Sequence, residues 1–135
     1  MLKQGDTYQS KFIITQDQVN AFAELSGDDN PIHIDPEFAA NTPFKQTIVH
    51  GIFSASVFSK VLGTEFPGHG SIYLGQKLEF KRPIFPGKEY EARFEISETR
   101  EGKHTAIVST QVFELERGKI VIDGWAEMMN KAELP

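Results

Sequence analysis

The segment from residue 47 to residue 62 is apolar around its whole circumference, and this feature limits most strongly what the chain can fold into. A helix that is apolar on every face is a buried one. Gly51 and Ala55 are small enough to let a sheet approach closely, and Gly63 supplies a stop. The large apolar side chains of the segment are Ile48, Val49, Ile52, Phe53, Val57, Phe58, Val61 and Leu62. We therefore expect one long helix at the centre of the fold.

The second half of the chain has a different period, because apolar and polar residues alternate there. In residues 89–96 the apolar set is Tyr90, Ala92, Phe94 and Ile96, and the intervening residues are charged. This pattern is typical of a half-buried antiparallel strand. Similar patterns predict further strands at 7–14, 77–81, 105–115 and 119–129, the first of them at an edge. An antiparallel sheet packed against one long buried helix is an α+β fold.

The composition favours one domain over residues 1–135 and excludes several classes of function. The 135 residues contain no cysteine, which excludes a catalytic thiolate, a disulfide framework and zinc sites built on cysteine. A net charge of −5, without a stripe of Lys and Arg, argues against nucleic-acid binding. No apolar stretch is long enough to span a membrane, and the first residues lack the apolar run of a signal peptide. We therefore expect a cytoplasmic protein.

The stretch after the first helix carries the candidate chemistry. Thr15 and Gln18 form a capping-box pattern at the start of that helix, and Gly27 stops it. The residues that follow predict a non-helical loop that places Asp28 and His33 five positions apart. A carboxylate and an imidazole on such a loop can act together on one water as general acid and base. The alternative is that both are ordinary turn and structural residues.

Two further features frame this loop. Asn30 precedes Pro31, and this pair restricts the backbone and makes the loop rigid. A second short helix is predicted to open at Asp35, which can cap it, with Pro36 in the first helical position.

The sequence from Phe22 to His33, with Ala39 six residues further on, resembles the hydratase motif of the MaoC-like family. The resemblance is closest to the (R)-specific enoyl-CoA hydratases and covers nearly the whole chain. Every fixed position of the motif is present. The other matching stretches are Ile48–Gly51, Val57–Ser59, Gly70–Gln76 and Phe80–Ile84.

This resemblance implies a hot-dog fold, in which a curved sheet wraps around the long helix. It also implies reversible addition of water to a trans-2-enoyl-CoA, which gives the (R)-3-hydroxyacyl thioester without a cofactor. By position, Asp28 and His33 are the catalytic pair, and the backbone N–H of Gly51 binds the thioester oxygen. Ser59 and Asn30 are implied to support the pair.

The resemblance also implies a partner and a substrate site. An acyl-CoA thioester is the expected substrate, and Phe53, Phe58 and Gln76 are expected to contact it, with Phe66 a further candidate for the acyl tunnel. One thin sheet around one helix leaves little depth for such a substrate, so we expect a homodimer whose second subunit closes the tunnel.

The remaining polar residues have ordinary interpretations. We expect His50 to cap or orient the start of the long helix, and His69 and His104 to lie at the surface. The spacing of Asp28, His33 and Asp35 matches no common metal site, so no metal is expected. Four cations have two open interpretations, neutralisation of CoA phosphates or a solvated strand face, and these are Lys77, Lys81, Arg82 and Lys88.

Three other functions compete with hydration of an enoyl-CoA. The first is a 3-hydroxyacyl-[acyl-carrier-protein] dehydratase, although the net charge of −5 does not favour an acidic carrier. The second is an acyl-CoA thioesterase, since hot-dog folds also support hydrolysis. The third is a non-catalytic acyl-CoA-binding module.

Overall fold

A computed structural model describes all residues from 1 to 135, and it contains four helices and five strands. The helices are α1 (Gln16–Ser26), α2 (Pro31–Ile34), α3 (Pro36–Ala40) and α4 (Gly51–Thr64). The strands are β1 (Thr7–Ile13), β2 (Ile72–Phe80), β3 (Glu89–Arg100), β4 (Thr105–Glu114) and β5 (Ile120–Met129). None of the helices has the length and apolar character needed to cross a membrane.

The five strands form one antiparallel sheet in the order β1-β3-β4-β5-β2. The alternation predicted for residues 89–96 is confirmed, because Tyr90, Ala92, Phe94 and Ile96 are all at most 2% exposed. Their side chains join the core beneath α4, where Phe58 meets Phe94 edge to face with ring centroids 5.8 Å apart. The predicted α+β class is therefore confirmed.

The long helix differs from its prediction in two ways. It begins at Gly51 instead of residue 47, because His50 has a non-helical ψ of 133°; before it, the backbone N–H groups of Ile48 and Val49 bind the carbonyls of Ile32 and Ile84. Gly63 does not stop it, since the helix continues through Thr64. The prediction that every face of this helix is buried is also wrong within a single chain. Only one face of the helix packs on the sheet.

In the region around the predicted loop, the predictions for the two ends are confirmed and the prediction for the middle is wrong. The capping box of Thr15 is present, and Gly27 ends α1 in the left-handed conformation with φ of 83°. The loop predicted at 28–33 contains the helical turn α2 instead, because Asn30 accepts a hydrogen bond from the N–H of Ile32 and Pro31 occupies the first helical position. Asp35 caps α3 as predicted.

Candidate active site

Three elements converge at the N-terminal end of α4. The loop after α1 carries Asp28, α2 carries His33, and His50 is the residue that directly precedes α4. One carboxylate or imidazole atom from each of these residues lies within 4.8 Å of the other two. Folding thus brings together the Asp28 and His33 side chains that the sequence motif pairs, and it adds a second imidazole.

Backbone contacts fix the orientation of His33. Its Nδ1 lies 2.8 Å from the carbonyl oxygen of Ile48. Because a carbonyl only accepts, Nδ1 carries the hydrogen, and Nε2 is the nitrogen that is left able to accept a proton. The carbonyl of His33 accepts from Gln16 at 2.8 Å, and Gln16 in turn accepts from the Thr47 hydroxyl at 2.7 Å. The imidazole is therefore preorganised by its own main chain and by α1.

His50 is the residue that sequence reasoning undervalued. It does not cap α4 with its side chain; its Nε2 instead donates to the backbone carbonyl of Asp28 at 2.9 Å. Its ring is 2% exposed and stacks on the ring of His33 with centroids 3.9 Å apart. Phe22 covers it edge-on at 4.8 Å. The position of His50 immediately before the glycine that starts α4 was the one available signal of this role.

Asp28 presents its carboxylate on an ordered backbone. Its N–H donates to the Ser26 hydroxyl at 3.1 Å, and its Oδ1 accepts from the N–H of Asn30 at 3.4 Å. Together with the His50 contact, these bonds fix the loop while leaving the side chain exposed. Asn30 thus both caps α2 and holds Asp28.

Gly51 lies at the N-terminal end of α4, directly after His50. As the first residue of α4 it has no intrahelical partner for its N–H, and the helix dipole favours an anion at this end. A Cβ at this position would lie 3.0 Å from the Phe80 ring, so any larger residue would require that ring to move by a few tenths of an ångström. Gly51 lines a cleft of about 410 Å³, which we call the Gly51 cleft.

Ser59 and Gln76 lie in a second cleft, between the outer face of α4 and β2. Ser59 makes no hydrogen bond to Asp28 within one chain, so folding of the single chain does not bring these two residues together. The Gln76 amide donates to the Thr110 hydroxyl at 2.9 Å, and its oxygen accepts from the Tyr73 hydroxyl. Burial raises the pKa of Tyr73 to about 12, so this phenol stays a neutral donor.

The aromatic candidates fall into two groups. Phe53 is half-buried and stacks on Phe22 with centroids 4.6 Å apart, beside the His50 ring. Phe58 is fully buried, and Phe66 is 5% exposed against Tyr8, so both are core residues in the single chain. Of these candidates, only Phe53 is connected to the site, through Phe22, which meets the His50 ring edge-on.

The two remaining histidines differ in exposure, and the possible metal ligands differ from the predicted set. His69 is exposed, as predicted, whereas His104 is half-buried because its Nδ1 contacts the carbonyl of Leu134 at 2.8 Å. The group with metal-donor geometry contains His50 in place of Asp35, whose carboxylate caps α3. In that group His33 and His50 each already have one ring nitrogen bonded to a carbonyl.

The fold and the site define a hot-dog protein of the hydratase and dehydratase class. The model of the MaoC like domain matches residues 3–117, and the chain belongs to this family. It is 50% identical over 109 residues to an (R)-specific enoyl-CoA hydratase of Aeromonas caviae, a match that covers 81% of each protein. It is 35% identical to a mitochondrial 3-hydroxyacyl-[acyl-carrier-protein] dehydratase of Arabidopsis thaliana, over 93% of this chain and 76% of that protein.

The comparison of structures agrees. The (R)-hydratase of A. caviae involved in PHA biosynthesis superposes with a TM-score of 0.91 at 43% identity, covering 96% of this chain and 97% of that one. The predicted hot-dog fold and the predicted family of hydro-lyases are thereby confirmed.

Proposed function

We propose that this chain is an (R)-specific enoyl-CoA hydratase that adds water reversibly to trans-2-enoyl-CoA and gives (R)-3-hydroxyacyl-CoA. The observation that carries the proposal is the convergence of the Asp28 carboxylate and the His33 imidazole with His50, the residue directly before Gly51 at the start of α4. The same activity is named for the A. caviae relative, and polyhydroxyalkanoate synthesis is the setting given for its structure.

The chemistry follows from these groups. Asp28 and His33 hold one water, and the pair takes a proton from it as its oxygen bonds to C3 of the enoyl thioester. The electrons of the C2–C3 double bond move toward the thioester oxygen, where the Gly51 N–H and the start of α4 stabilise the charge. The pair then returns a proton to C2, so that H and OH add on the same face.

The test is the hydration of crotonyl-CoA, followed by loss of the enoyl absorbance and by the configuration of the product. The proposal predicts consumption of the substrate and an (R)-3-hydroxybutyryl product. A folded protein that leaves the C4, C6 and C8 enoyl-CoAs unchanged would contradict it. Release of free CoA, measured with a thiol reagent, would indicate a thioesterase instead, and binding without turnover a non-catalytic module.

A dehydratase of carrier-protein thioesters is the second candidate, because the Arabidopsis relative of that name matches 93% of the chain. The active-site chemistry is the same, so only the carrier differs. Competition between crotonyl-CoA and a crotonyl carrier protein measures the preference. We expect the CoA substrate to have the higher kcat/KM, since the net charge of −5 does not favour an acidic protein partner.

We also propose a homodimer, joined along β2. Both β1 and β2 are edge strands, but they differ in character. β1 exposes Gln9, Lys11 and one large apolar side chain, Ile13 at 49%, whereas β2 exposes three such side chains by 47–54%, those of Ile72, Leu74 and Phe80. An apolar edge with unpaired backbone groups is suited to pairing with a second copy, which would extend the sheet and cover the cleft that contains Ser59.

Light scattering tests the dimer. Leu74→Glu on β2 is expected to shift the protein toward the monomer, and the matched variant Gln9→Glu on β1 is expected to leave the mass unchanged. A monomeric wild-type protein would contradict the proposal.

The single domain, the absence of a cofactor and the cytoplasmic location stay predictions. The first is supported by one core cluster of 21 residues that reaches from Ile14 to Leu134. The second is tested by assaying protein treated with a chelator, and the third by fractionation of cells.

A further inference from the structure

Phe80, the last residue of β2, is an aromatic side chain that stays outside the hydrophobic core. It is 52% exposed and does not belong to the core cluster. Its backbone is nevertheless fixed, because Phe80 pairs with Ile122 and the N–H groups of residues 81 and 82 both bind the carbonyl of Val121, at 2.8 and 3.2 Å. Single exposed apolar residues are common at protein surfaces, so exposure alone assigns no role to Phe80.

The ring of Phe80 lies on the side of the sheet that faces α4. Lys77 and Glu79 pair with each other at 3.3 Å and occupy one side of β2. Because side chains alternate along a strand, Phe80 points to the opposite side, together with Leu78, which packs against the core. This direction brings the ring to the start of α4.

There the ring of Phe80 meets the backbone of Gly51. A Cβ added to Gly51 would lie 3.0 Å from Cε1 of Phe80 and 3.2 Å from its Cδ1 and Cζ. These distances are shorter than an ordinary contact between carbon atoms, so the ring fills the space that a side chain at position 51 would take. The ring therefore covers one side of the residue whose N–H is unpaired at the start of α4.

The surroundings of Gly51 are apolar on several further sides. The Ser54 hydroxyl, which lines the Gly51 cleft, is already committed to the carbonyl of His50 at 3.1 Å. A hydrogen bond is electrostatically stronger in surroundings of low dielectric constant than in water. Covering the Gly51 N–H with apolar groups therefore increases its power to stabilise a negative oxygen. The charged residues of the cleft are Lys81 and Arg82, and its apolar residues are Phe44, Ile48, Val49, Phe80, Ile84 and Ile122.

We propose that Phe80 is a positioning residue for the thioester, whose ring keeps water away from the Gly51 N–H and holds the thioester carbonyl against that donor. The inference rests on the proposed function, since it concerns the group that stabilises charge on the thioester oxygen. Phe80 itself transfers no proton. Loss of its ring admits water and weakens the hydrogen bond from Gly51 without removing the donor.

Steady-state kinetics with crotonyl-CoA give the first test. Phe80→Ala is expected to lower kcat about tenfold and to change KM less than about twofold, because the weakened bond matters most where charge develops on the oxygen. Phe80→Leu keeps an apolar side chain at this place and should recover most of the loss. The matched control is Ile72→Ala at the other end of β2, which removes a side chain of similar exposure, 54%, outside the Gly51 cleft and should keep the wild-type kcat.

Infrared spectroscopy separates this role from a merely structural one. Butyryl-CoA labelled with ¹³C at C1 has the same thioester but no double bond to hydrate, so its carbonyl stretching frequency can be measured in the bound state. Polarisation by the Gly51 N–H is expected to lower this frequency relative to the free thioester in water. The lowering should be smaller in Phe80→Ala and unchanged in Ile72→Ala. A loss of folded protein would reduce the amplitude of the bound band and leave its frequency unchanged.

The outcomes for Phe80 and for the proposed function are distinguishable. An unchanged carbonyl frequency in Phe80→Ala overturns the role of Phe80 whatever the kcat of that variant, and so does an equal loss of kcat in Ile72→Ala; in both cases the proposed function stands if the wild-type protein hydrates crotonyl-CoA. If the wild-type protein hydrates no enoyl-CoA, the proposed function fails. The infrared measurement then still decides about Phe80, since it requires no turnover: a lowered frequency that is partly lost in Phe80→Ala supports the role, and an unshifted frequency in the wild type overturns it.

Discussion

The two faces of α4 meet very different surroundings. On the inner face, Phe58, Val61 and Leu62 have no exposed surface and pack on the sheet. On the outer face, Ile52 is 62% exposed, and Ser59 is exposed beside it in a cleft against β2. The chemical groups at the start of the helix are held in place by the chain itself, whereas the outer face has no partner within the chain. A single chain therefore orders the proposed catalytic residues but leaves the outer face of α4 uncovered.

The largest expected effect concerns the reacting centre. Asp28→Asn and His33→Ala should each lower kcat about 10³-fold, because each removes one member of the acid–base pair. The melting temperature of Asp28→Asn should change little, since the hydrogen bonds of the backbone N–H and carbonyl of residue 28 remain. Asp29→Asn is the matched control and should keep the wild-type rate. Equal losses in Asp28→Asn and Asp29→Asn would refute the assignment.

The second prediction compares the helix faces directly. Phe58→Ala should cost about 3–5 kcal/mol of unfolding free energy at any protein concentration, because it opens a cavity in the core. Ile52→Ala should cost less than about 1 kcal/mol in dilute protein. If a second copy covers the outer face, the cost of Ile52→Ala grows with protein concentration. Chemical denaturation at two protein concentrations measures the loss of unfolding free energy in both variants. Equal losses would contradict the difference between the two faces of α4.

The third prediction separates the two contacts of His50. His50→Phe keeps an aromatic ring against His33 but loses the donor to the Asp28 carbonyl, and should lower kcat about 10- to 100-fold at constant KM through misplacement of the loop. His50→Gln retains an amide donor and should recover part of that loss. Steady-state kinetics with crotonyl-CoA decides between this role and a merely structural one. If the role of His50 is merely structural, the activity of both variants would be proportional to the fraction of folded protein.

The smallest effect lies at the far end of the sheet, in the β4–β5 turn. The pKa of Glu114 is lowered in the folded protein, so this carboxylate stabilises the fold above its usual pKa of 4.5, and that stability is lost as the pH falls through the lower folded value. Glu114→Gln should therefore lower the free energy of unfolding at pH 7 and have almost no effect in strong acid. Denaturation curves across pH 2–7 measure this, and a cost independent of pH would show that the charge is not involved.

The sequence predicted those parts of the fold that depend on local rules. The Thr15 capping box, the stop at Gly27 and the alternation of 89–96 each depend on neighbouring residues only, and each is confirmed. The turn α2 follows the same rule as α3, in which a capping side chain directly precedes a proline. The same rule therefore predicts a helical turn at Asn30 and Pro31, in place of the rigid loop.

Other features could not be predicted because they depend on distant partners. The backbone before α4 is held by the carbonyls of Ile32 and Ile84, which bind the N–H groups of residues 48 and 49. The contact of His50 with Asp28 spans 22 residues and appears only when α4 docks beside the loop. The family motif supplied the Asp28–His33 pair, but neither motif nor periodicity indicated that a second imidazole stacks on it.

The orientation of both imidazoles depends on main-chain oxygens, those of Ile48 and Asp28. Every amino acid carries such an oxygen, so exchange of the side chain at position 48 leaves the acceptor for His33 in place. The tautomer of the His33 ring is thus independent of which side chain stands at position 48. The side chains around this site, and with them the substrate preference, can therefore change during evolution while the hydrogen bonds that orient the two imidazoles are kept.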